Sequence, residues 1–88
     1  SQVEDLARLA ADMHRRIDDY VAIAEEHADA PQRAKAIEER LFDYMCECLE
    51  EHGFAGDRKA MWSVMNIDVR LNAQGLDVWL ARRSKQRA

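Results

Sequence analysis

From Val3 to His27, apolar and small side chains recur at alternating steps of three and four: Val3, Leu6, Ala10, Met13, Ile17, Tyr20, Ala24 and His27. A strand alternates its side chains every second residue, so this spacing specifies a helix with one apolar seam nearly four heptads long. Glu4, Asp5, Asp12, Arg15, Arg16, Asp19, Glu25 and Glu26 fall on or beside the opposite face. The pattern predicts a first helix over about 2–28, with Ser1 and Glu4 spaced as a capping box.

Pro31, the single proline, follows Asp29 and Ala30 and is expected to stop the first helix and begin the second, because proline disfavours a helical residue before it and suits a first turn. So short a connection makes the two helices an antiparallel hairpin. The second helix is expected over about 31–52, with Ala34, Ile37, Leu41, Tyr44, Cys48 and His52 on one seam, widened by Met45 and Leu49. Gly53 suits the left-handed residue after a helix, Phe54 the apolar residue that folds back onto the last turn, and Asp57 the N-cap of a third helix. Arg58 and Lys59 oppose the dipole at that N-terminus, and the sequence assigns them to an acidic surface on a partner.

The third helix, about 58–84, is the most informative segment. Ser63, Asn66, Arg70, Gln74 and Asp77 line one narrow polar stripe, while Met61, Trp62, Val64, Met65, Ile67, Val69, Leu71, Leu76, Val78, Trp79 and Leu80 spread over most of the remaining girth. The stripe stays in phase past Gly75, so one helix is expected there, a break at Asn72-Ala73-Gln74-Gly75 being the alternative. Two antiparallel helices cannot cover so broad an apolar face, and left bare it would be an interaction surface. The third helix is therefore read as largely buried, through homodimerisation into a six-helix bundle.

The fold class predicted is all-α: a three-helix antiparallel bundle in one domain, 1–88, completed by a second copy. With 48% hydrophobic residues, 34% charged, three glycines and one proline, the chain is too apolar for disorder and too poor in breakers for a turn-rich β fold. Eighty-eight residues also leave a modest core, which favours a partner. Uncharged apolar runs of a few residues fall far short of the roughly 20 that span a bilayer, and no signal-peptide pattern opens the chain. A cytoplasmic protein is expected, off the membrane, with Cys46 and Cys48 as free thiols.

Asp68, Asn72 and Gly75 interrupt the apolar face at i, i+4 and i+7 and are read as buried polar positions and a close approach. They set the register of a dimer or, less well supported, line a pocket walled by methionine and tryptophan. The segment Cys46-x-Cys48-x3-His52 has a metal-like look, but on a helix only Cys48 and His52 share a face, so no metal and no cofactor is expected. None of His14, His27 or His52 has a glutamate three residues before it, as a dinuclear carboxylate bundle requires. His14 and Asp18 read as an i, i+4 ion pair, and no nucleophile or phosphate-cradling motif accompanies them, so no catalytic residue is assigned.

Charge is uneven: residues 1–56 carry 14 acidic and 6 basic side chains, residues 57–88 carry 3 and 7. Arg82, Arg83, Lys85 and Arg87 form a basic tail, 82–88, which complements a helix C-terminus and, as a weaker alternative, would touch nucleic acid. Glu47 to Val64, the one helix-turn-helix candidate, lacks an exposed basic recognition face. The expected function is thus a non-enzymatic protein-protein interaction module, an adaptor, regulator or assembly component, with Met61, Trp62, Met65 and Trp79 as anchors. A nucleic-acid-associated regulator and a small-ligand or metal sensor, centred on Asp68 and Asn72 or on Cys48 and His52, are the alternatives.

Overall fold

The computed structural model describes residues 3–5, 7, 8 and 17–87 and is all-α, with no strand among the described residues. Residues 3–5, 7 and 8 are helical. Three further helices follow, α1 (Ile17–Glu26), α2 (Arg33–Glu51) and α3 (Arg58–Arg87). Of the first seam, Leu6, Ala10 and Met13 lie outside the described residues, as do His14 and the Ser1 cap.

Each helix end shows how the local sequence stops the chain. α1 closes with tightened bonds, Ala24 and Glu25 carbonyls accepting from the amides of His27 and Ala28 at 3.2 and 3.3 Å, and the His27 Nδ1–H donates to the Ile23 carbonyl at 2.9 Å. Pro31 does not begin the next helix: residues 31 and 32 form a turn, and α2 starts at Arg33 behind Gln32, whose side chain makes no cap. At the far end of α2 the Phe54 amide reaches the Leu49 carbonyl and the Gly53 amide the Glu50 carbonyl, both at 3.0 Å, with Gly53 at φ 86°. These paired 6→1 and 5→2 bonds need a left-handed residue, which glycine adopts without a Cβ clash. Asp57 Oδ1 then accepts from the Ala60 amide at 2.7 Å, an N-cap onto the third residue of α3.

α2 and α3 form the main pairing, with α1 laid against both. Ile37, Leu41, Met45, Cys48 and Leu49 of α2 meet Met61, Met65, Val69, Ala73 and Leu80 of α3, and Tyr20, Ile23 and Ala24 of α1 close the core. Charged pairs fix the antiparallel register of α3 on α2. Arg33 Nε bonds Asp77 at 2.6 Å at one end, Arg70 meets Glu38 at 3.4 Å in the middle, and Arg58 meets Asp43 at the other. Arg83 reaches Glu25 of α1 at 3.5 Å.

One further sequence expectation needs correction. Arg58 is not held for a partner: it pairs with Asp43 and lies over the Phe42 ring, 4.9 Å from its centroid, so the cation disfavoured by the dipole is offset within the chain. Nor do the other helices of the protomer alone bury α3. α2 and α1 cover one side of it, and Val64, Ile67, Leu71, Val78 and Trp79 remain exposed. α3 continues unbroken through Gly75 to Arg87, where a Cβ on Gly75 would meet nothing within 4 Å.

Candidate functional site

Two apolar faces run the length of α3. The inner face, Met61, Met65, Val69, Ala73 and Leu80, is sealed in the core. An outer face follows Ala60, Val64, Ile67, Leu71, Gln74, Val78 and Ala81, at steps of four and three, and every one of these residues is exposed. Ile67 is 68% exposed, Leu71 61%, Val78 48% and Val64 39%, on a helix whose backbone is fixed by core packing on its other side. At about 100° per residue, Ile67 and Val69 project some 200° apart, so the two faces are nearly opposite. Ser63, Asn66, Arg70 and Asp77 of the polar stripe divide them on one side, Gln74 falling within the outer row itself, and Asp68 and Gly75 divide them on the other.

The four anchors read from the sequence do not line this surface. Met61 and Met65, 2% and 1% exposed, are core residues. Trp62 is half-buried, edge-to-face with Phe42 at 5.0 Å and capped by Arg70 at 5.3 Å, so it ties α3 to α2. Trp79 is exposed, with the Arg83 guanidinium 4.7 Å from its ring centroid. Val64, Ile67, Leu71 and Val78 belong to the broad apolar face read from the sequence but were not singled out as anchors, their signal being their 3.5-residue spacing rather than their size.

In the single protomer Asp68 is exposed and Asn72 half-buried, and the Asn72 amide donates to the Asp68 carbonyl at 2.8 Å. A surface hollow of about 290 Å³ between α2 and α3 is lined by Lys35, Glu38, Glu39, Phe42 and Trp62, and takes in neither Asp68 nor Asn72. Cys46 and Cys48 are buried free thiols, and burial pushes the Cys46 thiol up despite Arg58 nearby. His52 is exposed, and its Nδ1–H donates to the Cys48 carbonyl at 2.8 Å, which makes it a helix-end cap. Among the described residues, no three of His, Cys, Asp and Glu are placed to hold a metal ion. No described helix is long and apolar enough to cross a membrane.

The chain matches no protein-family model, no curated protein and no solved structure.

Proposed function

We propose that this chain is a non-enzymatic protein-protein interaction module, a three-helix antiparallel bundle that presents the outer face of α3 to another helical surface, a second copy of itself included. The observation that carries this reading is the exposure of Val64, Ile67, Leu71 and Val78 at heptad spacing along one rigid helix. Such a row gains little as isolated surface, and burial of each large side chain against a partner is worth about 1.5–3 kcal/mol. A preformed helix also has little conformational entropy left to lose on docking.

The basic tail supports nucleic-acid binding less well. Arg83 is taken up by Trp79 and Glu25, which leaves fewer cations directed at a phosphate backbone. A ligand or metal sensor at Asp68 and Asn72 has no enclosing walls to support it, since Asp68 stands in solvent.

The test is a pair of substitutions on exposed positions, Ile67→Lys and Leu71→Lys, combined in one chain. Exposed changes of this kind shift the stability of a lone protomer by about 0.5 kcal/mol or less, so helicity stays as it was. Partners recovered by affinity purification from the source cells are expected to be lost with the double variant. Recovery of the same partners in undiminished amount would overturn the reading.

A further inference from the structure

The heptad geometry of the outer face points to a second copy of this chain as its occupant, docked antiparallel along α3 about a two-fold axis between Asn72 and Ala73. This rests on the interaction-module reading and names the partner and its register. The exposed row from Ala60 to Ala81 covers about 30 Å of helix, enough for six successive knobs-into-holes layers. One antiparallel register fills them: Val64 against the partner's Ala81, Ile67 against the partner's Val78, and Leu71 against the partner's Gln74, each occurring twice by symmetry.

Charge selects this register. The positions flanking the row place Asp68 opposite the partner's Arg82 and Arg70 opposite the partner's Asp77, again twice each, so four pairs of opposite sign border the seam. Arg70 and Asp77 each also hold a residue of their own α2, so those borders become small networks. Gly75 and the partner's Gly75 lie on either side of the axis along one border of the seam, where open space surrounds each missing Cβ. That accounts for a glycine in mid-helix, a residue the protomer alone does not need. A parallel pair would keep only Asp77 against the partner's Arg82. It would also bring together Arg82, Arg83 and Lys85 of both copies, whereas the antiparallel pair sends each basic end to the opposite side, where Glu47, Glu50 and Glu51 close α2.

The experiment is sedimentation equilibrium on the full chain and on the charge-reversed variants Asp68→Arg and Arg82→Asp, with circular dichroism to confirm that each is folded. Wild type is expected to be a dimer that weakens with added salt. Either variant alone turns two attractive contacts repulsive and raises the dimer dissociation constant about tenfold. An equal mixture of the two variants forms a heterodimer with near wild-type affinity, a rescue that damage within one protomer does not allow. A chain that stays monomeric up to about 1 mM, which populates even weak pairs, overturns self-association. Sensitivity to Arg82→Asp without sensitivity to Asp68→Arg, or no rescue on mixing, overturns the antiparallel register. The module reading is judged separately, by the loss of cellular partners with Ile67→Lys and Leu71→Lys.

Discussion

Tyr20 is the residue whose setting has the clearest measurable consequence. Its ring lies in the core, edge-on to Tyr44 at 6.0 Å, and its hydroxyl is pushed up to about 12, first by burial and then by Tyr44, Cys48 and Asp68. A folded-state value above the ordinary 10 means that the native chain holds its proton where the unfolded chain has lost it. The stabilisation is therefore complete below pH 10 and is lost as pH rises from 10 through 12, by an amount on the order of 2 kcal/mol. Urea unfolding of wild type and Tyr20→Phe across that range should show the alkaline decline flattening in the variant. At this scale the sequence was partly legible. Tyr20 fell on the predicted seam and is buried, whereas Asp68 is exposed in the single protomer, because helical phase locates a residue on a circle without saying which arc faces its own chain and which a partner.

Between elements, the glycines divide by backbone conformation. Gly53 sits at φ 86° and lets the Phe54 and Gly53 amides close α2, so Gly53→Ala should lower stability by about 1 kcal/mol. Gly75 lies inside α3 at a helical backbone with nothing within 4 Å of a Cβ, so Gly75→Ala should raise protomer stability by roughly 0.5–1 kcal/mol. Denaturant midpoints read at concentrations dilute enough to keep the chain monomeric check both signs. The turn chemistry at Gly53, Phe54 and Asp57 could be read ahead because each acts on neighbours a few residues away. The start of α2 could not, since Pro31 tolerates either the first helical turn or the turn before it. α3 hid its division into two faces because apolar groups on nearly opposite sides cancel as a directional signal, so size seemed to single out Met61 and Met65, which the core had already taken.

The described residues form a rod, 49 × 23 × 19 Å, with α3 running its length and one long side of that helix uncovered. Such a shape alters how association shows itself hydrodynamically. A lone rod already migrates as a larger sphere, so an early elution volume says nothing of copy number. Two rods laid flank to flank gain girth but no length, and their drag per unit mass falls on pairing. End-on joining would stretch the particle and raise it. Sedimentation velocity across a dilution series should therefore find the slower species to be the more asymmetric one, with the frictional ratio dropping as the faster boundary grows.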